Sequence, residues 1–462
     1  MKKILVVCTI ISSAFLFTSC LEDDQTDIII DPYAALTSFT LGDLNSYIQY
    51  KNENGEDTTL VSWVYGANYP FVIDQKTKRV YNNDSLPYGV GLEKVLVKVG
   101  CDGTAYIYTD STKVYDMITT TDSLDFSYPR RILVLSTDGM CTQEYEVRVN
   151  VHKVDPFLMV WDSLSAAAIT EPVSVIERDE KLFLFGKDAQ ETALTASLLL
   201  DGSSEWSSVT PLSISGINSH ITLESIKLFK GCFYAVAVDG GLLRSFDGVN
   251  WEGITSGTDV RHLVSADDKG LWAVANYGED VDSIVFSTDG MVFSATEKLP
   301  MEFPLYNVSD NVYPLVTNPY IDRTLLIGYS SQKEDAKPVI WNKLSTEDAW
   351  SMYDVAQDSS YSCPALKPLA VECYDNKLYA FGGSGVAATD SVAAFSNFYT
   401  SVDNGLTWSK VANTKVDLPK ALYESKAPFA TIVDSRNYMW IISGGETPVV
   451  WRGIINRLSF NE

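Results

Sequence analysis

The groups in this chain that could do chemistry are acids, tyrosines and a few isolated histidines and cysteines. The most ordered of them lie in Ser401-Val402-Asp403-Asn404-Gly405-Leu406-Thr407-Trp408, which reads S-x-D-x-G-x-T-W. A hydroxyl and a carboxylate at this spacing could serve acid–base work, but each residue type also has a conformational task. Short Ser and Asp side chains accept hydrogen bonds from the N–H groups of a tight turn, and Gly supplies the positive φ that the turn needs. The Trp then begins a strand, where its flat ring packs between two sheets. Two shorter relatives use Ser245, Asp247, Gly248 and Trp251, and Ser287, Asp289, Gly290 and Phe293, with Gly directly after Asp in both. Stabilising a turn is the expected role of Asp247, Asp289 and Asp403.

The pattern is the Asp-box, which also occurs in sialidases. A sialidase-like site would further require an arginine cluster for the substrate carboxylate, a tyrosine nucleophile with a glutamate partner, and an acid. Tyrosines and acids are plentiful, but arginine is sparse beyond residue 156 and no Arg-Ile-Pro segment occurs before the first repeat. Copper chemistry needs several His and Tyr ligands, and the histidines are only His152, His220 and His262. Neither a P-loop, a dinucleotide glycine motif nor H-E-x-x-H is present. The glycines at Gly240-Gly241 and Gly382–Gly385 fit turns better than phosphate cradles. Asp267-Asp268 and Glu279-Asp280 lack the alternating spacing of a calcium loop and read as solvated turns. No Cys/His spacing typical of zinc occurs. Cys101–Cys141 and Cys363–Cys373 are candidate disulfide pairs in an oxidising compartment, and buried free thiols are an alternative of at least equal weight. No catalytic residue, metal or cofactor is assigned, and the expectation is a protein that is not an enzyme.

Charge narrows the partners. The chain has 462 residues, 46% of them hydrophobic, and a formal net charge of -25. Large cores are therefore available. Nucleic acid, which needs Lys and Arg on its phosphates, is excluded as a partner. Anionic headgroups are disfavoured for the same reason. The acidic excess reads as a solvated, self-repelling exterior.

The elements that must position these residues begin with an export signal. Met1-Lys2-Lys3 followed by an apolar run to Phe17 has the form of a signal peptide over residues 1–19. Phe17-Thr18-Ser19-Cys20 resembles a bacterial lipobox, which makes Cys20 the lipid attachment point. Leu21-Glu22-Asp23-Asp24 resembles the export signal of Bacteroidetes-type surface lipoproteins, so outward display from the outer membrane is favoured over periplasmic retention. Beyond the signal no stretch approaches about 18 apolar residues, so membrane contact is expected through the lipid alone. Residues 20–35 read as a tether.

Residues 36–155 carry short alternating strands between turns. Leu92–Val99, Ala105–Tyr108, Arg131–Ser136 and Glu144–His152 are examples, and His152 is expected to point outward or cap the last of these. About six or seven strands of this kind predict a β-sandwich of immunoglobulin-like type.

Residues 156–462 repeat. Six hydrophobic strands begin at Leu182, Phe233, Leu271, Thr324, Leu378 and Met439, and are expected to be the inner strands of their sheets. Six aromatics that open short strands alternate with them: Trp161, Trp206, Trp251, Phe293, Trp350 and Trp408. Spacings of roughly 40–50 residues match a four-stranded propeller blade. Trp161 precedes the first hydrophobic copy, and the chain ends after a strand that starts near Val450. The strand Leu158–Leu164 is therefore expected to complete the last blade, giving an all-β chain whose six-bladed β-propeller is closed by its own N-terminal strand. Closure hides sheet edges that an open array would expose.

Gly382-Gly383 and Gly444-Gly445 are also kelch-like. With the turn Asn83–Pro87, the segment Tyr374–Gly383 and the ending Trp451–Leu458, the chain resembles a family of Bacteroidetes surface lipoproteins of uncharacterised function. In that family an immunoglobulin-like domain precedes a six-bladed propeller with Asp-box and kelch-like features. The resemblance implies a fold and no activity. Loops on a rigid ring suit recognition, so a glycan or a protein is the expected partner. The longer fourth and fifth repeats direct attention to Gln332–Lys337 and Gly385–Asn397. The alternative is a glycoside hydrolase or lyase with a divergent site on the central face, for which two convergent carboxylates are the signature.

Overall fold

The computed structural model describes residues 33–51, 57–109, 111–276, 281–315, 317–333, 336–354, 361–385, 392–412 and 415–459. The signal segment, Cys20 and Glu279-Asp280 lie outside these residues, as do parts of both long loops. The chain divides into two compact units between Asp155 and Pro156. Among the described residues the regular elements are strands and three short 3-10 turns, and no helix is long and apolar enough to cross a membrane.

In the first unit, Leu36–Leu41, Val95–Cys101 and Ser123–Leu124 form one sheet. A second sheet runs Phe71–Asp74, Arg79–Asn82, Thr142–Arg148, Arg130–Leu135, Thr104–Thr109 and Val114–Met117. Alternation puts Phe39, Val95 and Val97 from one sheet and Ile107, Ile132, Val134, Tyr145 and Val147 from the other into a single core. Arg79–Asn82 runs parallel to Thr142–Arg148, while the remaining pairs of that sheet are antiparallel. The last strand is shorter than the alternation implies and ends at Arg148, so His152 lies beyond it. The physical reason is Asn82, which is fully buried and replaces ladder bonds with its side chain. Its Oδ1 accepts from Asn150 N at 2.7 Å and its Nδ2 donates to Asn150 O at 2.9 Å. A separate hairpin, Asp43–Lys51 with Asp57–Tyr65, completes the unit.

The second unit is a series of antiparallel sheets. The first holds Glu171–Arg178, Lys181–Lys187, Ala193–Leu199 and Thr210–Pro211. The second holds Ile221–Phe229, Cys232–Ala237, Leu242–Ser245 and Asn250–Ile254, with Ser213–Ser215 added in parallel to the last strand. The third runs Asp259–Ala266, Leu271–Asn276, Asp282–Ser287 and Ser294–Lys298, and the fourth Tyr306–Leu315, Asn318–Tyr329, Val339–Leu344 and Ser351–Met352. The fifth runs Leu366–Tyr374, Lys377–Gly385, Tyr399–Ser401 and Ser409–Lys410. The sixth combines Phe429–Val433, Met439–Ser443 and Val449–Ile455 with Met159–Leu164, whose Trp161 pairs with Gly453.

The hydrophobic copies are not the innermost strands. In each sheet they are the second strand, as in Lys181–Lys187, where Leu182 to Gly186 are all buried. The strand before each of them is the inner one, because the first strands of neighbouring sheets pack on one another at every junction but that of the third and fourth sheets. A strand hydrogen-bonded on both edges and covered on both faces must be apolar throughout, whereas the strand at the centre can carry polar groups.

Each junction between sheets has its own core, and each core contains one of the six aromatics. Trp251 meets Phe185 of the preceding sheet edge-on at 6.2 Å between centroids. Phe293, Trp350 and Trp408 occupy the next three junctions and Trp161 the fifth. Trp206 packs with Trp440, Ile442 and Val450 of the sixth sheet against Leu182 and Leu184 of the first. Burying the rings of Trp251, Phe293, Trp350 and Trp408 supplies about 2–3 kcal/mol each, and the half-buried Trp161 and Trp206 supply less.

Candidate functional site

The three boxes sit between the third and fourth strands of the second, third and fifth sheets. Ser401 Oγ accepts from Gly405 N at 2.8 Å and donates to Asp403 Oδ1 at 2.7 Å. Asp403 in turn accepts from Thr407 N at 2.8 Å and from Thr407 Oγ1 at 2.6 Å. Asp247 Oδ1 accepts from Val249 N and Asn250 N at 2.9 and 2.7 Å, and Asp289 Oδ1 accepts from Met291 N and Val292 N at 2.8 and 2.9 Å. Ser245 Oγ and Ser287 Oγ accept from Gly248 N and Gly290 N, each at 2.9 Å. Gly290 requires its glycine, since φ is +74° and a Cβ there would lie 2.5 Å from the Tyr234 hydroxyl. Partial burial pushes the Asp247 carboxyl up, but the bonds from Asn250, Val249 and Ser245 outweigh it and hold it at about 2. The bond from Val292 leads those that lower Asp289. These carboxylates are committed to their turns.

Sequence reasoning missed two further turns of related construction. Asp201 Oδ1 accepts from Ser203 N at 2.9 Å ahead of Trp206, and Glu347 accepts from Leu344 N at 2.8 Å ahead of Trp350. The aromatic was the visible signal in both. Asp267 spends its Oδ1 on Lys269 N and Gly270 N at 2.8 and 2.9 Å.

The inner strands carry a second group of polar residues that motif reading did not find. Lys227 of the second sheet is paired with Asp310 of the fourth, both side chains being largely buried. Glu372 of the fifth sheet accepts from Thr431 Oγ1 of the sixth at 2.5 Å. Burial raises the Glu372 carboxyl to about 7, the Thr431 bond opposes this, and the charge of Asp310 adds to it. Asp310 is flanked by Asn307, Ser309 and Asn311, which bond the inner strand of the fifth sheet. Leu369 N donates to Asn307 Oδ1 at 2.6 Å, Val371 N to Ser309 Oγ at 3.0 Å and Cys373 N to Asn311 Oδ1 at 2.9 Å. Alternate residues of one strand thus replace a missing ladder along the edge of its neighbour.

Two cavities open at opposite ends of the sheets. One of about 350 Å³ is lined by Glu302, Ser330, Lys337, Tyr353, Asp354 and Ser362, among others. Its lining comes from the loop after the second strand of the fourth sheet, from that sheet's last two strands and from the connections on either side, and of the expected Gln332–Lys337 loop it takes Lys337. The other, about 510 Å³, lies by the turns at Lys230-Gly231 and Asp267-Asp268. Among the described residues no group of three or more His, Cys, Asp or Glu could hold a metal ion. Cys101, Cys141, Cys232, Cys363 and Cys373 are free thiols. His262 lies on an inner strand with an exposed edge, and desolvation by the surrounding strands lowers its basicity.

An all-β chain with an N-terminal β domain and box-bearing sheets in series defines a two-part β-propeller protein. The chain belongs to the DUF6242 family, matching its N-terminal domain, a domain of unknown function, over residues 39–149 and its beta propeller domain over residues 155–462. Among solved structures it is similar to a DUF4623 family protein from Bacteroides eggerthii DSM 20697, at 11% identity over 91% of this chain and 98% of that one, with a TM-score of 0.38. It is similar to YCF48 bound to D1 peptide at 12% identity, 66% and 98% coverage and a TM-score of 0.33. It is also similar to the GH93 alpha-L-arabinofuranosidase of Fusarium graminearum in complex with arabinobiose, at 11% identity, 63% and 97% coverage and a TM-score of 0.38. Identity this low transfers no activity. No curated protein matches the chain.

Proposed function

We propose that this is a non-catalytic, lipid-anchored protein of the cell envelope whose propeller binds a glycan or a protein. In this reading Cys20 carries the lipid on the outer membrane, residues 20–35 tether an immunoglobulin-like sandwich outside the cell, and residues 156–462 form six blades. Met159–Leu164 clasps the ring shut, which the Trp206 core between the first and sixth sheets supports. The observation that carries the binding role is the cavity of about 350 Å³, within the usual size of small-ligand sites. Glu302, Lys337 and Asp354 with the hydroxyls of Ser330, Tyr353 and Ser362 give it the mixed donors and acceptors that a hydroxyl-rich ligand needs. The three box aspartates, spent on turns, leave it no motif-borne acid.

One observation favours an enzyme instead. Glu372, raised to about 7 by burial and by the charge of Asp310, is an acid able to hold a proton near neutral pH, as the proton donor of glycoside hydrolysis must. A single assay separates the readings. The intact chain is run on a panel of polysaccharides with reducing-end or unsaturated products assayed in the same wells. The expected result is saturable retention without release, weakened at least about fivefold by Asp354→Ala. Release of sugar overturns the non-enzyme reading. Retention unchanged by Asp354→Ala removes the cavity as the site, and silence on every glycan leaves protein as the ligand.

A further inference from the structure

The hairpin of the first unit is built inside out. Its register pairs Asp43 with Tyr65, Asn45 with Trp63, Tyr47 with Val61 and Gln49 with Thr59. Directly opposed residues and those two positions along share a face, so Tyr47, Val61, Trp63 and Tyr65 lie together. All four point to solvent, with exposures of 48%, 51%, 72% and 62%. The reverse face is covered at its first positions, where Leu44 and Ser46 are buried, and opens further along, where Leu60 is exposed. A two-stranded element would ordinarily bury its aromatics and expose its serine. A contiguous exposed apolar face marks an interaction surface.

We propose that this face is a stacking platform for a neutral glycan chain. Pyranose rings present apolar C–H faces bordered by hydroxyls, and they are matched by flat rings interleaved with amides and hydroxyls. Trp63 and Tyr65 follow one another on one strand at roughly 7 Å, and Tyr47 lies diagonally across from Trp63 at a similar distance, a spacing on the order of one sugar unit. Asn45, Gln49 and Thr59 fill the positions between and beside the rings, and Asn45 Nδ2 already points to the Tyr47 hydroxyl at 3.4 Å. Charge selects the class of occupant. The ten face positions hold two acids, Asp43 and Asp57 at opposite ends, and one lysine, Lys51, paired with Asp57 and two register pairs away from Tyr47, in a chain of net charge -25. Sulfated or uronate polymers and single-stranded nucleic acid need cations beside the stacking rings. This platform belongs to the first unit, and the inference does not rest on the propeller cavity.

The test uses Trp63→Ala and Tyr65→Ala in the intact chain, at exposed positions where truncation is expected to leave the fold in place, as circular dichroism verifies. Mobility is compared in native gels cast with soluble starch, galactomannan or arabinoxylan. The wild type is expected to be retarded by at least one of them, and Trp63→Ala to weaken that interaction at least about tenfold. Retardation by none of the three overturns the proposal, as does equal retardation of Trp63→Ala. Loss caused by Asp354→Ala but not by Trp63→Ala assigns binding to the propeller and also overturns it. A concentration-dependent dimer that Trp63→Ala abolishes makes the face a contact between copies of the chain instead.

Discussion

Glu372 stands on an inner strand with a hydroxyl donor on one side and another acid's field on the other, and its titration is a statement about stability. Its carboxyl is raised from an ordinary 4.5 to about 7. The folded state therefore holds a proton there that the unfolded chain releases between these values. The stability this proton contributes is complete below about 4.5 and is lost as pH rises through about 7. Glu372→Gln keeps the shape without the ionisation. The variant is expected to be more stable than the wild type at pH 8 by about 3 kcal/mol and close to it at pH 4.5. Urea midpoints of both chains at the two pH values check this, and a difference independent of pH overturns it. The box aspartates behave oppositely. Asp247, held at about 2, contributes stability above the ordinary carboxylate range that disappears as pH falls through its folded value.

At the scale of elements, three alternate side chains of one strand, Asn307, Ser309 and Asn311, tie the fourth sheet to the fifth. Asn311 is buried, accepts from Cys373 N at 2.9 Å and donates to Val371 O at 3.0 Å. Asn311→Ala leaves both backbone groups without these partners and is expected to cost about 2–3 kcal/mol in urea denaturation. A loss below about 0.5 kcal/mol would mean that the edge needs no such partner. This device also marks how far the sequence could be read. The hydrophobic second strands and junction aromatics are long-period patterns, so all-β architecture and a C-terminal propeller were legible from Trp161 to Trp451. Ser and Asp of the boxes act within a few residues of themselves, and local chemistry is visible in a local motif. Asn307, Ser309 and Asn311 act on residues about 60 positions away, and Lys227 meets Asp310 across 83. Nothing in the neighbouring text announces such partners. The same blindness assigned the inner position to the most apolar strands, when the centre was where polar residues could be afforded.

For the whole molecule, sixty acidic residues against thirty-five basic ones make self-repulsion a standing cost. The melting temperature is expected to rise by a few degrees as salt increases from about 0.02 M to about 0.2 M, because the screening length falls from roughly 20 Å to below 10 Å. Scanning calorimetry across that range checks it, and a falling melting temperature would mean that attractive ion pairs such as Lys227–Asp310 dominate. The sixth sheet bears on how the protein comes into being. Met159 lies opposite Ile455, so one strand of that sheet leaves the ribosome long before the strand it pairs with. At about 5–20 residues per second the interval is roughly 15–60 s. Throughout it Met159–Leu164 is an orphan, competent to pair with the wrong edge of its own chain or of another. Met159–Leu164 can take its own place only once Val449–Ile455 has been made.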